Sequence, residues 1–209
     1  MVTLADWLLW TRWASVAMSF TIALLFLYRY QSRRQIHIAV WSVAWVLVGF
    51  RVLADIYLSF SIADRFIIDL MTIGHDMLWY LGIAALLGFT RMKKEGLTIA
   101  YFTSFAALSA YLYFGLHSMV LGTAVTVILM HPAALLILAY LFYLSWVKTR
   151  HVGVAIISGS FILWALDYII FGIPYFAFND IMAGVYGWSI GFIFRVTIFI
   201  GFITLIARR

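Results

Sequence analysis

Cysteine is absent from the 209 residues, which excludes disulfides, thiolate metal sites, iron–sulfur clusters and thiol nucleophiles. Charge is scarce, with 11% Asp, Glu, Lys and Arg against 66% hydrophobic residues. The mean hydropathy is +1.06, and a soluble domain of this length has no interior large enough for so much apolar surface. Proline occurs only twice, as Pro132 and Pro174, so long uninterrupted helices are allowed. The opening MVTLADWLLWTRW lacks a basic n-region and a small-residue cleavage site, and reads as the outer end of a first helix with three interfacial Trp.

What the chain has in abundance is long apolar runs. A helix crosses the hydrocarbon core in about 20 residues. Seven such spans are expected, at roughly 11–30, 36–60, 65–90, 97–115, 118–146, 153–173 and 181–207. Ten of the fourteen Lys and Arg residues fall in four clusters: Arg29, Arg33 and Arg34; Arg91, Lys93 and Lys94; Lys148 and Arg150; Arg208 and Arg209. The clusters follow the first, third, fifth and last runs. Short basic loops stay cytoplasmic, so the expected architecture is an all-α, single-domain bundle of seven transmembrane helices covering 1–209, N-terminus outside, C-terminus cytoplasmic, in the cell membrane. The net charge of +6 follows from these clusters and anionic lipid and calls for no nucleic acid.

Eight ionisable residues fall inside the spans: Arg51, Asp55, Asp69, His75, Asp76, His131, Asp167 and Arg195. Each is costly against lipid, so each is expected to face the bundle interior or a watery cavity. At about 1.5 Å per residue, Asp55 and Asp69 lie near the outer surface, Arg51 and Asp167 in the outer half, and His75, Asp76, His131 and Arg195 near the midplane. None lies in the inner third of a span. Helical spacing makes stripes of Asp69, Thr72, Asp76 and Tyr80, and of Ser160, Trp164 and Asp167. Arg51 can pair with Asp55 at i, i+4, and Gly187 and Gly191 lie near the face of Arg195, where they admit a neighbouring helix. Of the aromatics, Trp79, Trp164 and Trp188 are placed at the cavity wall.

These charges have a bland reading, since Arg51, Arg195, Asp76 and Asp167 sum to zero and serve equally as cross-braces. Number and depth favour a site, because guanidinium forks suit carboxylate or phosphate groups. His131 precedes Pro132, which removes a donor to the carbonyl of Ile128 and is expected to kink that span. With His75 at similar depth it also allows haem, held by two imidazoles. A zinc hydrolase is not expected, because no HExxH or comparable ligand cluster is readable in the sequence. Retinal is excluded as well, because the only lysines are Lys93, Lys94 and Lys148 and none lies in a span.

Two resemblances follow from particular segments. LFLYRYQSRR at 25–34 matches LFYLSWVKTR at 141–150, and LADIY at 53–57 matches ALDYI at 165–169, a three-plus-one-plus-three layout that resembles sugar transporters built of parallel repeats. ALLFLYRYQSRRQIHIAVWSVAWVLVGFRVLAD followed by YLGIAALLGFTR resembles, over about the first ninety residues, the seven-helix membrane sensor modules of prokaryotic signalling proteins. That likeness implies a sensing role and a cytoplasmic signalling partner, since an output domain usually follows the last helix in that family. The leading expectation is therefore a receptor-like module that binds a small anionic or amphipathic ligand in an outward or mid-membrane pocket. Arg51 and Arg195 are its charge partners, Asp76 and Asp167 hold those arginines or exchange with the ligand, His75 tunes the pocket with pH, and His131, Trp164 and Trp188 complete the lining. The alternatives are a transporter or proton or cation channel using Asp55, Asp69, Asp76 and Asp167, a haem protein, or a subunit of a membrane complex. No nucleophile–base pair is readable, so catalysis is not expected.

Overall fold

The computed structural model describes residues 3–57, 62–87, 131–178 and 180–207, and its regular elements are all helical. They are α1 (Leu4–Arg33), α2 (Ile36–Tyr57), α3 (Ile62–Leu87), α4 (His131–Thr149), α5 (Val152–Asp167), a π-helical turn (Tyr168–Gly172), α6 (Ile173–Phe178) and α7 (Ile181–Ala207). Among the described residues, five segments are long and apolar enough to cross a membrane: Leu4–Arg33, Ile36–Tyr57, His131–Thr149, Val152–Tyr175 and Met182–Leu205. This is an all-helical, multi-pass membrane protein. The expected span 97–115, the start of the fifth span, Ile128, His117 and the clusters at 91–94 and 208–209 lie outside the described residues.

Local chemistry sets the helix ends. Thr3 and Asp6 cap α1 reciprocally: the Asp6 carboxylate accepts from Thr3 N at 2.9 Å and Thr3 Oγ1 at 2.7 Å, while Asp6 N donates to Thr3 Oγ1 at 3.2 Å. This satisfies amides that the first turn leaves open. Arg34 and Arg150 close α1 and α4 at φ 53° and 52°, the left-handed position usually given to Gly. Each amide reaches back 2.7 Å to a carbonyl, of Tyr30 and of Trp146. Asp180 caps α7, its Oδ1 accepting from Met182 N at 2.9 Å and Ala183 N at 3.1 Å.

The chain forms two compact units, Ser19–Thr126 and the combination of Met1–Met18 with Val127–Arg209. In the first, the Ser42 hydroxyl ties α2 to α1 by donating to Ala23 O at 2.8 Å. The indoles of Trp41 and Trp45 meet Trp79 of α3 at 6.1 and 5.4 Å, and Trp41 occupies the space where Gly82 would carry a Cβ. These large rings fill the interior that the small residues open, which is how helices approach when lipid gives them no hydrophobic drive to associate.

In the second unit α4 and α5 are joined by the short turn at Arg150, so they run antiparallel. Ser158 donates to Ala139 O at 2.7 Å, and Phe142 stacks on Phe161 at 5.6 Å. α5 and α7 cross closely at Gly153 and Gly201, where a Cβ on Gly153 would stand 2.5 Å from the Gly201 carbonyl oxygen. Further along, the hydroxyls of Ser160 and Thr197 lie 2.8 Å apart. The sixth expected span ends at 173, whereas the helical path continues through the π turn to Phe178. Pro174 has no amide to donate to Ile170, and the preceding turn widens so that Ile173 N–H bonds Tyr168 O.

Candidate functional site

Asp167 ends α5 where the backbone widens, a kind of local irregularity that recurs at functional sites. Its residue is 8% exposed, and Arg195, near the middle of α7, is 3% exposed. The two meet over the glycines of α7. A Cβ on Gly187 would lie 3.4 Å from Asp167 Oδ1, and one on Gly191 would lie 3.9 Å from Asp167 Oδ2 and 3.3 Å from Arg195 Nη1. Carboxylate and guanidinium therefore share one cradle, open because neither glycine carries a side chain. Arg195 Nη1 donates 2.7 Å to the Gly191 carbonyl. Asp167 Oδ1 is buried and accepts no hydrogen bond among the described residues, which in an apolar interior costs about 1–3 kcal/mol.

Aromatic rings form the wall of this cradle. The guanidinium carbon lies 4.6 Å from the Phe194 ring centre and 5.7 Å from that of Trp164, and the two rings stack at 4.2 Å. A desolvated cation over such faces gains about 2 kcal/mol. His131 of α4 closes the far side, its ring edge-on to Tyr168 at 4.4 Å and Trp164 at 5.3 Å.

Four of the eight residues expected at a site thus come together: Asp167, Arg195, Trp164 and His131. Trp188 belongs to a different cluster, two turns along α7. There the Arg12 guanidinium lies 5.2 Å above the Trp188 ring and donates to Tyr175 Oη at 2.9 Å, while Trp7 Nε1 donates to Ser189 Oγ at 3.0 Å. Arg51, His75 and Asp76 belong to the other unit. There Arg51 Nη1 lies 3.0 Å from Asp55 Oδ2, the i, i+4 pairing expected, and His75 Nδ1 lies 3.1 Å from Asp76 Oδ1.

Sequence reasoning missed Arg12, Phe194 and Tyr168. Arg12 stands in the Trp-rich opening at the outer edge of the expected first span, where a cation reads as interfacial. Phe194 and Tyr168 carried no such signal among 39 candidates of similar kind, the 9 Trp, 12 Tyr and 18 Phe of the chain. Comparison of the chain with protein-family models, with curated proteins and with solved structures finds no match, so what this site does is argued from its geometry.

Proposed function

We propose that the protein is a receptor- or sensor-like membrane module that holds a small amphipathic anion at Arg195, with Asp167 as the resident anion that the ligand displaces. The observation that supports this most is the shared cradle: Asp167 and Arg195 lie against the same glycines, yet Asp167 Oδ1 accepts no hydrogen bond among the described residues. An exchangeable partner suits an Arg better than a fully bonded one, and the ring faces of Trp164 and Phe194 suit the apolar part of such a ligand. Benzenesulfonate is a fitting probe, being rigid, aromatic and always ionised. At a concentration 100 times its Kd it should stabilise the protein by about 2.7 kcal/mol, whereas neutral methyl phenyl sulfone should not. Equal effects of the two would sink the proposal.

We place this module in the cytoplasmic membrane as seven spans, N-terminus outside and C-terminus inside, because the basic clusters alternate with nearly uncharged connections. The natural lack of cysteine makes this direct to test. A cysteine at exposed Gln31, beside the first cluster, should resist an impermeant maleimide applied to intact cells and react after lysis. Labelling from outside would reverse the orientation.

A carrier reading is favoured by one specific observation, the buried carboxylate of Asp167 at a widened turn, which suits a coupling ion. It predicts sustained flux into liposomes that Asp167→Asn eliminates. The receptor reading predicts none.

A further inference from the structure

The described helices of the two units repeat one another in detail. A step of 116 residues carries Ala23 to Ala139 and Ser42 to Ser158, and in both places the serine hydroxyl donates to the alanine carbonyl, at 2.8 and 2.7 Å. The same step carries Arg34 to Arg150, the two left-handed helix ends, whose guanidiniums lie over Tyr30 and Trp146 at 5.8 and 5.5 Å. It also places every buried position of α5, and Tyr168 after it, on a buried position of α2. For the third helix of each set the glycine contacts give the register. Gly82 packs on Trp41, and Gly201 packs on Ile157, which is the counterpart of Trp41. That register pairs α3 with α7 and carries Asp76 to Arg195, Trp79 to Ile198 and His75 to Phe194, all buried in both copies. One matching helical phase is easily a coincidence. Matching interhelical hydrogen bonds and helix ends at a step of 116, together with glycine contacts that set the third helices in register at a step of 119, are not.

This register has a consequence for the charges, because it sets Arg51 at the place of Asp167 and Asp76 at the place of Arg195. We infer that the chain is a duplicated three-helix unit, and that Arg51 and Asp76 form in the first copy the counterpart of the Asp167–Arg195 site with acid and base exchanged. Coulomb attraction depends on the product of the charges, so exchanging the partners preserves the pair while each single exchange destroys it. Thr72 takes the place of Gly191 in this second site, and its hydroxyl, which donates to Ile68 O at 2.9 Å, adds a polar group where the other copy has only backbone. Arg51 also keeps its contact with Asp55, one turn outward.

Exchange of the charges in the full chain tests this. R51D and D76R should each lower the folded-to-unfolded ratio by more than about a hundredfold, since each leaves two like charges in an apolar interior. The combined R51D/D76R should recover at least about tenfold over its poorer single variant, short of wild type because residue 51 then faces Asp55 with like charge, and D167R/R195D should recover likewise over its own single variants. Because single variants of this kind can fail to insert, a second measurement removes both charges together. R51C/D76C, in a chain otherwise free of cysteine, should be bridged by a short bismaleimide and migrate as an internally linked species. A charge-exchanged chain no more stable than its poorer single variant, or an R51C/D76C chain that stays unlinked, overturns the inference.

Discussion

Arg195→Met should cost the folded state about 3–5 kcal/mol, the range for removing one member of a buried charge pair, and about 1–3 kcal/mol of that loss should return when Asp167→Asn is added. The reason is asymmetry. With Arg195 gone, the Asp167 carboxylate stands in the Gly187–Gly191 cradle with Oδ1 already lacking a hydrogen-bond donor among the described residues and with the guanidinium removed. With Asp167 also neutral, the same space holds only an amide, and the loss reduces to the contacts of the guanidinium with Phe194 and Trp164, about 2 kcal/mol. Unfolding of the four proteins of this cycle in mixed micelles gives the coupling directly. Additive losses would show that the two residues do not act on one another.

Gly153→Val should be as damaging by a wholly different route. The added Cβ would stand 2.5 Å from the Gly201 carbonyl oxygen and 3.0 Å from Leu205 N, and both are backbone atoms of α7 that cannot rotate away. The helices must separate, which also strains the Ser160–Thr197 contact, and a loss of at least about 3 kcal/mol follows. Gly159→Ala is the matching control. Nothing lies within 4 Å of a Cβ there, so that change should be neutral, or stabilising by up to about 1 kcal/mol through helix propensity. A Gly153→Val protein as stable as wild type would remove the close crossing of α5 and α7 from this account.

How far the sequence reveals the structure differs from element to element. Helix existence is legible because hydropathy and basic clusters report a one-dimensional property of each segment, and α2 and α7 match their expected spans to within three residues. The stripe Ser160, Trp164 and Asp167 is legible for the same reason, since spacing alone fixes a helix face. The π turn is not, because it depends on how the chain absorbs the missing amide of Pro174. Trp188 is expected at the cavity wall, whereas it lies under the Arg12 guanidinium, a contact with α1 that spacing along α7 cannot reveal. The internal likeness at 25–34 and 141–150 keeps its register in three dimensions. The likeness of LADIY to ALDYI sets Asp55 against Asp167 and is one helical turn out, because burial and glycine contacts set Arg51 there instead. Similar letters drew the match to Asp55, while the inverted pair has no letters in common.

Duplication also bears on the choice between receptor and carrier, since repeats of this kind commonly frame a binding site in transporters. Both readings keep the Asp167–Arg195 cradle as the site, the carrier reading adding a coupling ion at Asp167. The most direct measurement of the shared claim is the affinity for benzenesulfonate in Arg195→Gln and Asp167→Asn, set beside wild type in nanodiscs. The account predicts opposite changes: weaker binding by about tenfold or more without the guanidinium, and tighter binding once the competing carboxylate is neutral. Affinities that both stay unchanged, or that fall together, would contradict it.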